Sequence, residues 1–352
     1  MARSPGVAQL HFQRDGSAGI VATITARQTS CMCGTDQPTL LRYIAQRVLV
    51  SIPVIIMVGI ITFTLVYIGP GDPAAIIAGD EATPEILERI RHDLGFDRPF
   101  PVQMGEWFLN LLRGDLGTSY FSGREITELI TPRLQPTLSL GFQVVVLSTI
   151  IGISAGMLAA WKAGTRLDKN LMVFAVLGFA TPGFWLAFLT IWVFAVNLGW
   201  FPVIGYKPLS AGLIPHLHSM FLPVMVNSIL ASAFISRITR SAMLEVLRED
   251  YIRTARAKGA SELSVFLRHA FRPSAIPVAT VIGASIAGLA TGFVLTETIF
   301  AIPGLGRMLV DAIVRRDYPI IQALLMVVAT VLIGVNLIVD ILYAYIDPRI
   351  RY

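Results

Sequence analysis

The sequence predicts an all-α, polytopic membrane protein: a bundle of six transmembrane helices with both termini on the cytoplasmic side. Three observations lead there. Of 352 residues, 54% are hydrophobic and only 14% charged, with a mean hydropathy of +0.67; a water-soluble domain carries about 25% charged residues to cover its surface. Apolar runs long enough to cross a hydrocarbon core of about 30 Å recur along the chain. Lys and Arg concentrate in alternate connecting segments, the pattern of the positive-inside rule.

In order, the runs are Val48 to Ile68, Thr137 to Trp161, Leu171 to Val196, a weaker Met220 to Ile235, Val278 to Val294, and Ile320 to Tyr345. None of the alternating segments that build membrane barrels occurs. The basic residues before the first run (Arg3 to Arg47), between the second and third (Lys162, Arg166, Lys169), between the fourth and fifth (Arg237 to Arg272) and at the end (Arg349, Arg351) are 18 of the 28 in the chain. The opposite side is acidic, with 11 carboxylates against six Arg between Gly69 and Pro136. The net charge of +5 therefore follows membrane topology, and no nucleic-acid partner is expected.

Residues 1–38 mix Gly, Ser, Thr and Gln without a helical period and read as a disordered N-terminal extension with no cleaved signal. Cys31 and Cys33 lack the second ligand pair of a zinc site, so no metal or disulfide is expected. The membrane-spanning body then runs over 39–352. Segment 69–136 reads as a helical cap outside the membrane. It opens on the turn cluster Gly69-Pro-Gly-Asp-Pro73, followed by a helix from Pro84 to Leu94 with Thr83 as N-cap. A second helix, Val102 to Leu112, has Met104, Trp107, Phe108, Leu111 and Leu112 to bury. A third, Glu125 to Ile130, leads into Pro132 and Pro136.

The cytoplasmic segment 240–273 is the most informative. Helix formers run from Ser241 to Lys258, Gly259 can end that helix, and Ser261 can cap another with Ser264 one turn on. Two short helices at a glycine break are predicted, within a strongly basic surround.

Motifs for covalent or nucleotide chemistry are missing. The chain contains no Gly-Lys dipeptide and hence no P-loop, no H-E-x-x-H and no G-x-S-x-G. Gly69-Pro-Gly-Asp72 matches the G-x-G-D of intramembrane aspartyl proteases, but such a mechanism needs a second Asp at the same depth, and Asp340 sits at the other face. A helix-ending turn is the better reading. His216 and His218 form an H-x-H without a third ligand and read as interfacial histidines.

Within the spans, Asn227 precedes Ser228, Ser232 and Ser236, whose spacing aligns three hydroxyls on one helix face. Close helix packing and a hydrated path for a polar solute both fit that ladder. Asn336 and Asp340 share a face of the last span and read as a structural anchor. Gly152-x-x-x-Gly156 and Gly288-x-x-x-Gly292 permit close helix contact.

At Arg253-Thr-Ala-Arg-Ala-Lys-Gly259 the chain resembles the cytoplasmic loop of ABC importer permeases, whose pattern is E-A-A, three residues, then G. Ala255 and Gly259 match; Arg253 and Thr254 stand where the general pattern has Glu and Ala. Glu249-Asp-Tyr-Ile-Arg-Thr-Ala-Arg-Ala-Lys-Gly259 and His269-Ala-Phe-Arg272 resemble the dipeptide and oligopeptide branch, close to the first of its two membrane subunits. Further matches are Pro70-Gly-Asp-Pro73, Gly114-Asp-Leu-Gly117, Thr296-Glu-Thr-Ile-Phe300, Pro303-Gly-Leu-Gly306, Arg315-Arg-Asp-Tyr-Pro319 and Asp347-Pro-Arg-Ile-Arg351. The resemblance runs from Leu40 to the C-terminus.

The resemblance implies a type I ABC importer permease that moves short peptides or a similar small solute across the bacterial inner membrane by alternating access. It implies a second permease subunit, two ATPase subunits that hold the ATP and Mg, and an external solute-binding protein, with no cofactor in this chain. Tyr251, Ile252, Ala255, Arg256, Lys258, Gly259 and Leu263 would couple to the ATPase. Asn227, Ser228, Ser232 and Thr291 would line the pathway. The rival class is an ion-driven secondary transporter, which needs mid-span charges and often an inverted repeat; neither is found. Dipeptides, oligopeptides, glutathione, nickel complexes and opines all remain open as solutes.

Overall fold

The computed structural model describes residues 40–68, 73–78, 83–93, 95 and 97–346, all within the compact unit Thr39–Tyr352. Residues 1–38 with Cys31 and Cys33, the turn at Gly69–Asp72, the C-terminal Asp347–Arg351, and the side-chain environments of 287–292 (Thr291 among them) and of Asp340 lie outside the described residues.

The helices in chain order are α1 (Leu40–Ile68), α2 (Pro73–Ala78), α3 (Pro84–Asp93), α4 (Phe100–Leu112), α5 (Ile126–Trp161), α6 (Arg166–Ala180) and α7 (Gly183–Thr190), which runs into a π-helical turn at Ile191–Asn197. They continue with α8 (Leu213–Val246), α9 (Asp250–Ala257), α10 (Glu262–Ser264, extended by a π-helical stretch Val265–Ala270), α11 (Phe271–Ile299), α12 (Leu305–Arg315) and α13 (Tyr318–Ile346). No strand occurs among the described residues, only an isolated bridge between Thr118 and Glu125.

Each predicted run falls on helix. Among the described residues, Ala45–Leu65 in α1, α5, α8 and Tyr318–Val339 in α13 are long and apolar enough to cross a membrane alone, and α6 with α7 passes as a bent pair. That pair corrects the continuous third run. The chain turns by 107° at Thr181–Pro182, because Pro182 has no N–H to donate and forces the preceding residue into extended backbone, with Thr181 at φ −81°, ψ 128°. A second correction concerns the cap. Glu125 to Ile130 is not a separate helix but the start of α5, which continues through Pro132 and Pro136 for 36 residues. Prolines are tolerated inside spanning helices where side chains and neighbours take up the freed carbonyl groups. Nearby, Thr131 Oγ1 donates to the Thr127 carbonyl at 2.7 Å and Arg133 Nη1 to that of Leu129 at 3.0 Å.

The cap helix α4 lies on α1. Phe63 meets Phe100 edge-on at 5.5 Å and Trp107 at 5.6 Å, and the Phe108 ring sits where a Cβ on Gly59 would be, at 2.6 Å. Its apolar face is only half covered: Met104, Trp107, Phe108 and Leu111 are half-buried, whereas Leu112, expected to be buried, is 83% exposed. At α3, the backbone N–H of Ile86 reaches Thr83 Oγ1 at 3.4 Å, the N-cap arrangement read from sequence.

The bundle centre is α5 against α8. Lipid tails are as apolar as leucine, so small residues that admit close backbone approach drive such pairs rather than the hydrophobic effect. A Cβ on Gly152 would lie 2.6 Å from Ile235 Cβ, and one on Gly156 would lie 2.6 Å from the Ser236 carbonyl and from Thr239 Cβ. Ser228, Ser232 and Ser236 are accordingly buried, with Ser228 Oγ donating to the Val144 carbonyl at 3.4 Å and the other two donating to carbonyls of α8 itself. Close packing is thus the arrangement the serine ladder adopts in this structure.

Candidate functional site: the cytoplasmic elbow

The helix predicted over Ser241–Lys258 is broken in two, because α8 ends at Val246 and a separate helix follows. Leu247, Arg248 and Glu249 form a tight turn, with Arg248 N–H donating to the Glu245 carbonyl and Glu249 N–H to that of Val246, each at 3.1 Å. α9 then runs only from Asp250 to Ala257, with Asp250 in its first turn and Arg256 in its last, both favourable to the helix dipole.

Gly259 closes α9 as predicted. Its φ is +83°, the left-handed region that favours glycine. Gly259 N–H donates to the Arg256 carbonyl at 2.9 Å and Ala260 N–H to that of Ala255 at 3.2 Å, the paired bonds of a Schellman stop. Ser261 then caps α10, its Oγ accepting from Ser264 N–H at 3.4 Å. Arg256 spans the break with a forked bond to Glu262, at 2.9 and 3.2 Å, that fixes the angle between the two arms.

One face of this elbow is core. Ile252 and Val265 are fully buried and pack with Ala160, Met243, Phe266 and Ala270. Trp161, the last residue of α5, meets Phe266 edge-on at 4.6 Å. Ile252 therefore seats the elbow on the bundle rather than reaching outward, and Ala255 is half-buried beside it. The other face is open: Tyr251, Arg256, Lys258, Gly259 and Leu263 are exposed, with Leu263 at 60% and Leu267 beside it at 48%. Burial, and then the Glu249 carboxylate, push the Tyr251 phenol above its ordinary pKa. The phenol stays neutral and donates to the His269 carbonyl at 3.3 Å, tying α9 to the π-helical stretch.

The elbow is anchored by a contact that the sequence reading missed. Asp168, at the start of α6, accepts from Arg240 Nε at 2.6 Å and Nη2 at 2.7 Å, and from Gly164 N–H at 2.9 Å. Its side chain is 4% exposed and that of Arg240 29%. The preceding basic loop is thereby clamped to α8 two turns above the elbow.

At the other end of the bundle, four of the motifs that carried the resemblance meet in two pairs. Glu297 of α11 is fully buried. Its Oε1 accepts from Thr137 Oγ1 at 2.6 Å and its Oε2 from Arg307 N–H at 3.1 Å, while Thr137 Oγ1 accepts from Leu305 N–H at 2.9 Å. The carboxylate and the hydroxyl thus satisfy otherwise unpaired N–H groups in the first turn of α12. Pro303-Gly-Leu-Gly306 is glycine-bearing for the same reason: a Cβ on Gly304 would overlap the Glu297 carboxyl group, and one on Gly306 would lie 2.6 Å from Val294 Cα. Arg315-Arg-Asp-Tyr-Pro319 joins Gly114-Asp-Leu-Gly117 in a similar way, because buried Asp317 accepts from Ser119 Oγ at 2.6 Å just past that loop. A Thr or Glu flanking an apolar run, followed by a Gly-x-Gly, is the signal from which the Glu297 knot could have been read.

Of the residues expected to line a pathway, Asn227 is buried between α8 and α11 and donates to Thr296 Oγ1 at 3.0 Å and to the Pro223 carbonyl at 2.8 Å. Ser228 and Ser232 face α5 as described, and the Thr291 side chain lies outside the described residues. His216 and His218 do not converge. His216 is buried, with Nδ1 on the Lys207 carbonyl at 2.6 Å and Nε2 within 2.7 Å of Ser139 Oγ and 3.1 Å of Gln143, so both ring nitrogens are occupied. His218 Nε2 donates instead to the Trp200 carbonyl at 3.0 Å. No group of three metal-ligating side chains occurs among the described residues.

Comparison with known proteins agrees with this architecture. Residues 152–352 match the family described as binding-protein-dependent transport system inner membrane component, and residues 40–141 match its N-terminal companion. A probable peptide ABC transporter permease of Sinorhizobium fredii is 46% identical over 88% of this chain and 99% of its own length. A dipeptide transport system permease of Alkalihalophilus pseudofirmus is 40% identical and a glutathione transport system permease of Escherichia coli 41%, each over 89% of this chain and all of its own. Among solved structures, the methionine ABC transporter MetNI superposes with a TM-score of 0.53 at 16% identity, covering 63% of this chain and 97% of that one, which shows a shared fold. The chain belongs to the family of binding-protein-dependent transport system inner membrane components, as a multi-pass ABC transporter permease.

Proposed function

We propose that this permease forms half of the pathway of an importer for short peptides, with a second permease as the other half. Two separate ATPase subunits hydrolyse ATP and an external binding protein delivers the solute. The observation that carries this reading is the elbow: a helix pair rigidly stopped at Gly259, seated on the bundle by Ile252, and open on its outer face with Tyr251, Leu263 and a basic rim of Arg256 and Lys258. A solvated basic loop needs neither the apolar residues nor the stop. Arg256 and Lys258 would meet an acidic groove of the ATPase, and closure of the ATPase pair would push the elbow, and with it α8 and α11. The relatives' printed names, peptide, dipeptide and glutathione permeases, support a peptide-like cargo. Asn227, Ser228, Ser232 and Thr291 remain the proposed lining. The first three are closed off by packing here, so a path along them opens only when α5, α8 and α11 part.

Reconstituted alone in vesicles, the chain is expected to move no dipeptide under any ion gradient, and to import with ATP only alongside its partners. Accumulation by the chain alone would overturn the reading. Gly259→Pro cannot adopt a φ of +83° and loses the bond to Arg256. With Arg256→Glu/Lys258→Glu as a companion variant, uptake is expected to fall about tenfold or more, the change that ~1.4 kcal/mol of lost coupling produces, while membrane levels and ATP hydrolysis persist. Normal uptake by both variants would refute the coupling role.

A further inference from the structure

The cavity whose chemistry the transport reading leaves unused lies away from the elbow. It encloses about 260 Å³ and is lined by Phe63 of α1, Glu106, Trp107 and Asn110 of α4, Asp115 of the next loop, and Gln322 of α13. Phe63 lies just inside the end of the candidate span Ala45–Leu65, and Gln322 just inside the start of Tyr318–Val339. The cavity therefore sits at a membrane–water boundary, on the face that the charge distribution assigns to the outside.

Three features define what it would hold. Gln322 is 93% buried, being 7% exposed, yet no hydrogen bond from its amide to a described residue is present, and it borders the cavity. Asp115 uses Oδ1 to accept from Gly117 N–H at 2.8 Å, which leaves Oδ2 available. Glu106 is balanced by Arg98, at 2.7 and 2.9 Å, so the net charge contributed by the wall is the one negative charge of Asp115.

An ammonium group has three donors and no acceptor. Asp115, Gln322 and Asn110, which line the cavity, carry acceptors of the kind it needs, and Trp107 beside them carries a ring able to make a cation–π contact. A phosphate or carboxylate would instead meet the uncompensated negative charge of Asp115. We propose that this cavity binds a primary ammonium group at the outer membrane boundary. Two sources share that chemistry: the headgroup of phosphatidylethanolamine, and the amino terminus of a peptide. Only the second rests on the proposed function.

Native mass spectrometry of the full-length chain tests both. Wild type is expected to retain phosphatidylethanolamine in preference to phosphatidylcholine and phosphatidylglycerol if the lipid is the source. If the peptide is the source, it is expected to bind Ala-Ala but not N-acetyl-Ala-Ala. Asp115→Asn keeps the turn bond to Gly117 and loses the charge; Gln322→Leu keeps the volume and loses the amide. Each is expected to weaken the preferred ligand about tenfold, the worth of one charge-assisted bond, with thermal unfolding unchanged. Equal retention of the three lipids together with equal binding of the two peptides would overturn the proposal, as would full discrimination in both variants. Loss of peptide discrimination with the lipid preference intact would count against the peptide cargo and leave the ammonium site standing.

Discussion

Gly304→Ala is expected to lower the thermal unfolding temperature of the solubilised protein sharply, because its new methyl group would occupy the space of the Glu297 carboxyl group. That carboxyl group cannot simply swing away, held as it is by Thr137 on one oxygen and Arg307 N–H on the other. The cost is placed at about 3 kcal/mol, the upper end for overpacking. Glu297→Ala acts by another route, leaving the Arg307 N–H and the Thr137 hydroxyl without their acceptor, at about 2–4 kcal/mol for two buried groups. The informative variant is the double. With the carboxyl group removed, the added methyl has room, so Gly304→Ala should cost little more in a Glu297→Ala background. A non-additivity above about 1 kcal/mol is the signature of direct contact. Strictly additive losses would show that the two residues do not share the space described.

The second large effect concerns Asp168 and Arg240. Arg240→Ala leaves a carboxylate that is 4% exposed without its forked partner. Removing one member of a buried pair costs about 3–5 kcal/mol, and the lower end applies here because Arg240 keeps 29% of its side-chain surface open. The paired substitution Asp168→Leu/Arg240→Met removes both charges while keeping volume, and is expected to recover most of the loss. Folded yield and unfolding temperature in detergent check both variants. If the double variant is as unstable as the single, the clamp is holding something other than charge. Because the clamp sits two turns from the elbow, the same variants should also blunt ATP-driven uptake beyond any fall in protein level.

How far the chain could be read in advance depends on sequence separation. Features set by a few neighbours were legible: the Gly259 stop, the Ser261 cap, the Thr83 cap and the close approach encoded by Gly152 and Gly156. The apolar runs gave the helices but not their breaks. Pro182 broke the third run, whereas Pro132 and Pro136 did not break α5, because a spanning helix finds other donors for its freed carbonyl groups where a bend is not favoured by packing. Least legible were the polar contacts between distant segments. Thr137 meets Glu297 across 160 residues, Asp168 meets Arg240 across 72, and Ser119 meets Asp317 across 198. Periodicity carries no information about such pairs. The elbow shows the same division within one element, since its apolar residues were recognised but their two faces were not, and Ile252 proved to be core.

α8 has a mechanical implication that its burial pattern does not convey. Its 34 residues form one rod, about 50 Å long at 1.5 Å per residue, which exceeds the roughly 30 Å of a hydrocarbon core. The elbow grips one tip of that rod, and His216, with its three hydrogen-bond partners, holds the other near its N-terminal end. A tilt of only ~10° about the His216 end carries the opposite tip through about 9 Å, given a rod of that length. A lever of this proportion converts a modest angular change into a displacement as wide as a small solute without any bond inside the helix having to break.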